Sequence, residues 1–145
     1  MNKMFLSTIV LVTFLISFIS GAAETSDILK KAEEGNLAAL NQAFVLLSSF
    51  DGANAEDIDI SIGKSIIRNP KNFLTALKAN RKTVNRIDAV LGNLGPDFVD
   101  NFKKQRNELE KRLTAIQTVD SKSLKNIRLE CESELKRQIL QRSDE

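Results

Sequence analysis

Apolar residues recur at three- and four-residue spacings along most of the chain from Leu37 to Ile139. That is the period a helix imposes on a buried face. Leu37, Leu40, Phe44 and Leu47 make one stripe, Ile58, Ile62 and Ile66 a second, and Phe73, Leu74 and Leu77 a third. Val84, Ile87, Val90 and Leu91 follow. A longer stripe then runs through Phe98, Val99, Phe102, Leu109, Leu113 and Ile116, and a last one through Leu124, Ile127, Cys131, Leu135 and Ile139. Between the stripes stand Gly35-Asn36, Asp51-Gly52, Asn69-Pro70, Gly92-Asn93-Leu94-Gly95-Pro96 and Thr118-Val119-Asp120. These are helix stops and restarts: glycine just past a helix end, asparagine at a cap, proline at a first turn.

One segment argues for strand, because Asp57-Ile58-Asp59-Ile60-Ser61-Ile62 alternates strictly. Helix is preferred here. The acids sit where the helix dipole favours them, and no second strand candidate lies nearby to pair with it. The reading is therefore all-α: an irregular helical bundle or short helical-hairpin stack of about six helices, ending in an antiparallel hairpin. Ser26, Asn36, Asn54, Thr83 and either Asp120 or Ser121 are the expected caps, and Pro96 is expected to open a long helix reaching about Gln117. The expected core holds Leu40, Phe44, Leu47, Ile62, Ile66, Phe73, Leu77, Ile87, Leu91, Phe102, Leu109, Leu113, Ile127 and Leu135. Glu108 with Arg112, and Glu132 with Lys136, are expected as outward i,i+4 pairs.

The N-terminus reads as an export signal. Met1-Asn2-Lys3 is short and basic, Met4 to Ile19 is mostly apolar, and Ser20-Gly21-Ala22-Ala23 offers small residues before a cut after Ala23. The apolar run falls short of the ~20 residues of a membrane-spanning helix. The expectation is a cleaved peptide over 1–23 and a single helical domain over 24–145. That length can bury roughly two-thirds of its unfolded surface without a disulfide. The expected location is the periplasm or the medium of a bacterium.

Export matters for the one cysteine, Cys131. In an oxidising compartment it is a candidate intermolecular bridge of a homodimer, although its place in the last apolar stripe suits a buried small hydrophobe better.

Charge is unevenly spread. Residues 24–63 carry a net −6, whereas residues 64–86 carry +7 with no acid at all: Lys64, Arg68, Lys71, Lys78, Arg81, Lys82 and Arg86. These seven are the candidate binding residues. Export argues against nucleic acid as their target and leaves an anionic surface; the bland alternative is that they are solvated or cancelled by the acidic half.

Catalytic motifs are weak. The chain has no histidine, so imidazole bases and histidine metal ligands are excluded. Ile62-Gly63-Lys64-Ser65 ends like a phosphate-binding loop, but that loop needs glycine where Ile58 stands. Asp57, Asp59 and Ser61 begin like a calcium loop, but Ile62 and Arg68 occupy the glycine and glutamate positions it needs. Nothing calls for a metal or other cofactor. Glu56, Asp57 and Asp59 are the densest carboxylates and the only basis for an acid–base hydrolase.

The segment Lys31-Ala32-Glu33-Glu34-Gly35-Asn36-Leu37-Ala38-Ala39-Leu40 resembles the small-residue helix-turn opening of alpha-solenoid repeats of the Sel1 and HEAT kinds. Asn69-Pro70 is similar in spirit. The resemblance covers at most Ile28 to Leu77, implies stacked helical hairpins, and brings no functional residues with it. Taken together, these features lead us to expect an exported helical protein-binding module of the cell envelope, of inhibitor or immunity type. The alternatives are a small carboxylate hydrolase and a structural dimer.

Overall fold

The computed structural model describes residues 22–142. The expected signal peptide therefore lies almost wholly outside the described residues. Those residues contain seven α-helices and no strand: α1 (22–33), α2 (Leu37–Leu47), α3 (Gly52–Arg68), α4 (Pro70–Asn80), α5 (Ile87–Gly92), α6 (Phe102–Gln117) and α7 (Lys125–Gln141). Short 3-10 turns at Pro96–Phe98 and Lys122–Leu124 lead into the last two. The alternating segment 57–62 lies within α3.

The first four helices form two hairpins laid side by side. Gly35 takes φ +83° at the α1–α2 turn, a left-handed conformation that side chains rarely adopt. A Cβ there would also collide with Asn69, because the two turns touch. Asn36 caps α2 by accepting from the Ala39 N–H at 3.0 Å, and Asn69 caps α4 by accepting from the Asn72 N–H at 3.1 Å. Across the turns, Asn72 donates to the Gly35 carbonyl at 2.9 Å. Further along, Asn80 donates to Asn41 at 2.8 Å. α2 and α4 thus run in the same direction, and Lys64 on α3 meets Glu33 on α1 at 3.1 Å.

α3 is the central helix, in contact with α2, α4, α5 and α6. Its Ala55, Ile58, Ile62 and Ile66 are buried alongside Phe44, Phe73, Leu74 and Leu77. The closing hairpin is antiparallel: Arg142 at the end of α7 reaches Gln105 near the start of α6, at 2.8 Å.

Several boundaries differ from expectation. The described helix runs from residue 22, so Ser26 lies inside α1 rather than capping it. Helix α3 begins after Asp51, not Asn54, α5 begins at Ile87, with Thr83 bonded back to the Asn80 carbonyl, and α7 begins at Lys125 behind a 3-10 turn, so neither Asp120 nor Ser121 caps it. Pro96 opens only one 3-10 turn. The chain then passes through Asp100 at φ +61°, and Asn101 caps α6 by accepting from the Lys104 N–H at 2.9 Å. That restart swings Phe102 into the first turn of α6, where it is 45% exposed instead of buried. Of the remaining expected core, Ile87 and Leu113 are partly buried against it and the other eleven are buried.

Candidate functional site

The seven cations of the 64–86 run divide into two groups. Lys64 is paired with Glu33. Arg81 forks onto Glu130 of α7, with Nε 3.0 Å from Oε1, and also donates to the Val84 carbonyl. Arg86 reaches Asp59 at 2.6 Å. Lys78 donates to the Ser123 carbonyl at 2.8 Å while its side chain stays exposed. Arg68, Lys71 and Lys82 are exposed, and among the described residues no carboxylate lies within ion-pair distance of them. Lys71 and Lys78 lie two turns apart on α4, and Lys82 lies one turn beyond, so the three share a face. Arg68 lies at the end of α3, two residues before α4 starts.

Where α3, α5 and α6 meet lie two buried charges that pattern reading did not find. Asp59 has no exposed surface. Its approach to Arg86 is close but poorly directed, so neither carboxylate oxygen receives an aligned N–H. Burial pushes its carboxyl up to about 6, against the opposing pull of Arg86; Asp88 and Glu56 add to the rise. Arg112 on α6 is 1% exposed. Its Nη1 donates to the Leu91 carbonyl at 2.9 Å and, at longer range, to those of Asn93 and Val90. These carbonyls are at and just past the C-terminal end of α5, where helix carbonyls lack internal partners and a cation is favoured. Burial lowers the guanidinium to about 10, which leaves it charged at neutral pH.

Gly63 makes room for that arrangement. A Cβ there would stand 2.7 Å from Arg112 Nη1 and 2.8 Å from the Val90 oxygen. The glycine that looked like the end of a phosphate loop is a slot for a guanidinium. Arg112 also leaves its expected surface pairing: Glu108 meets Lys111 at 3.5 Å instead. The Glu132–Lys136 pair forms, at 3.8 Å.

A faint signal for both buried charges existed. Asp59 falls three residues before Ile62, and Arg112 three after Leu109 and four before Ile116, so each occupies a core position of its stripe.

The carboxylate cluster does not act as a unit. Glu56 and Asp57 are exposed near the start of α3, whereas Asp59 is sealed and out of a substrate's reach. Cys131 is fully buried on α7, and burial pushes its thiol up to about 12. Joining it to a second chain requires α7 to lift from the core. Among the described residues no group of three or more His, Cys, Asp and Glu is placed to hold a metal, and no helix is long and apolar enough to cross a membrane. Compared with protein-family models, curated proteins and solved structures, the chain matches none.

Proposed function

We propose that the protein is an exported helical binding module of the cell envelope, acting on another protein in the manner of an inhibitor or immunity factor. Its contact surface is the basic face of Arg68, Lys71, Lys78 and Lys82. One observation carries this reading: the run has no acid of its own, Lys64, Arg81 and Arg86 each lie against a carboxylate from elsewhere in the fold, and Arg68, Lys71 and Lys82 remain exposed without an ion-pair partner among the described residues. A one-signed face of this kind attracts an acidic partner and speeds its encounter.

The test reverses the free cations and leaves the structural ones alone. Arg68→Glu, Lys71→Glu and Lys82→Glu together are expected to weaken capture of a dominant acidic envelope protein by at least tenfold at low salt. The melting curve should stay within a degree or two of the parent, because exposed unpaired charges contribute little to stability. Arg81 and Arg86 are left out of this design, since reversing either breaks an ion pair within the fold. Unchanged capture by the triple variant would remove this face from the contact.

A further inference from the structure

We propose that the outer face of α7 is a docking surface for an anionic phospholipid membrane, separate from the protein-binding face of α4. Lys122, Lys125, Leu129, Ser133, Lys136 and Leu140 follow one another at steps of three or four residues, and all six are exposed. On a helical wheel they lie within about 60° of one line, opposite the buried Ile127, Cys131, Leu135 and Gln138. Leu129 and Leu140 are 47% and 67% exposed on this outward side.

No acid lies on the stripe. The three glutamates at its margins are each held by a basic side chain: Glu130 by Arg81, Glu132 by Arg128 and Lys136, and Glu134 by Arg137. Lys122 and Lys125 therefore present positive charge without an ion-pair partner among the described residues, beside two exposed apolar side chains, while Lys136 is shared with Glu132. Asp120, exposed beside Lys122 in sequence, is the nearest free acid along the chain.

The exposed leucines decide the occupant. The nearby arginines each lie against a carboxylate: Arg81 on Glu130, Arg86 on Asp59, Arg128 on Glu132 and the exposed Arg137 on Glu134. The side chains left to face outward at Lys122 and Lys125 are lysines, with Lys136 shared with Glu132 at 3.8 Å. Leu129 and Leu140 are exposed among and beyond these lysines, whereas no large apolar side chain is exposed between Lys71 and Lys82 on the α4 face. A leaflet of anionic headgroups needs no fixed geometry, and flexible lysines with a few interleaved leucines suit it.

The test is co-sedimentation of the protein with vesicles of phosphatidylcholine alone and of phosphatidylcholine with about a third phosphatidylglycerol, at low and high salt. Binding is expected only to the anionic vesicles and only at low salt. Lys122→Gln with Lys125→Gln should lower the partition coefficient about 25-fold, near fivefold for each lysine. Leu129→Ser with Leu140→Ser should lower it further at fixed charge. Lys103→Gln, on the exposed start of α6, is the control and should change it least. These are surface changes, and a melting curve on each variant checks that the fold is intact. No binding to anionic vesicles at low salt would overturn the proposal, as would equal binding to neutral ones or indifference to the α7 variants. A protein partner seated on α7 would give the first of these results. Lys78 of the α4 face reaches the Ser123 carbonyl beside Lys122, so Arg68→Glu with Lys71→Glu and Lys82→Glu is run on the same vesicles: loss of binding in that variant but not in the α7 variants would overturn the proposal.

Discussion

Arg112→Ala is expected to destabilise the protein by about 3–5 kcal/mol, one of the largest effects of any single substitution in the chain. The change removes a fully buried side chain and leaves a void between α3, α5 and α6. It also strips the donor from the Leu91 carbonyl and from its neighbours at Val90 and Asn93. A buried carbonyl without a donor costs on the order of 1–3 kcal/mol by itself. Arg112→Lys should recover only part of the loss, because its shorter side chain holds the ammonium short of the position from which Nη1 serves all three carbonyls. Gly63→Ala should strike the same place from the opposite side, forcing the guanidinium and the Val90 carbonyl apart. Chemical denaturation of the three variants reads this directly. A loss below about 1 kcal/mol for Arg112→Ala would mean that the carbonyls find water and that the guanidinium does not hold α5 in place.

Asp59→Asn is expected to act in the opposite direction and to make the protein more stable at pH 7.5, by roughly 1–3 kcal/mol. The native carboxyl titrates near 6, above its ordinary value of 3.8, so the folded chain holds this proton more tightly than the unfolded chain does. Stability from this group is fully present below pH 4 and is lost as pH rises through 6. Between pH 5 and 7.5 the loss amounts to roughly 1–1.5 kcal/mol, a few degrees in melting temperature. Glu134 works the other way, since the hydrogen bonds from Arg137 hold its carboxyl below 4.5. Its contribution therefore fades only below that pH and leaves the 5–7.5 window to Asp59. Melting curves across that window should fall with rising pH for the parent and flatten for Asp59→Asn. A parent that gains stability up to pH 7.5, with an Asn variant that loses it, would show that Arg86 overcomes the desolvation of Asp59.

Much of the architecture was legible in the stripes. The spacing of Leu40, Phe44 and Leu47, of Ile58, Ile62 and Ile66, and of Ile127, Cys131 and Leu135 reports helices and their buried sides correctly, because burial of one face is what the period encodes. Asn36 and Asn69-Pro70 reported the two turns for the same kind of local reason. The Pro96 segment misled because proline starts a 3-10 turn as readily as a long helix. The deciding residue was Asn101, whose side chain competes for the Lys104 N–H and restarts the helix. Phe102 then falls outside the core although its spacing fits.

The site was less legible. A run of seven cations looks uniform in sequence, yet its division into paired and free members depends on where Glu33, Asp59 and Glu130 come to lie. Those partners are 27 to 49 residues away, and no local pattern carries such distances. The inward turn of Arg112 is of the same kind. Its spacing from Glu108 favours a surface pair, but the open carbonyls of α5 and the slot at Gly63 draw it into the core.

The division of the basic run into structural and free cations is the centre of this account, and lysine acylation read by mass spectrometry tests it most directly. The protein is labelled alone and again after mixing with the membrane-free envelope fraction of its source. Alone, Lys71 and Lys82 should react readily. In the mixture their labelling should fall severalfold, while Lys103 on the exposed start of α6 keeps its reactivity. Unchanged labelling of Lys71 and Lys82 in a fraction that yields a captured partner would contradict the account and move the contact to another face.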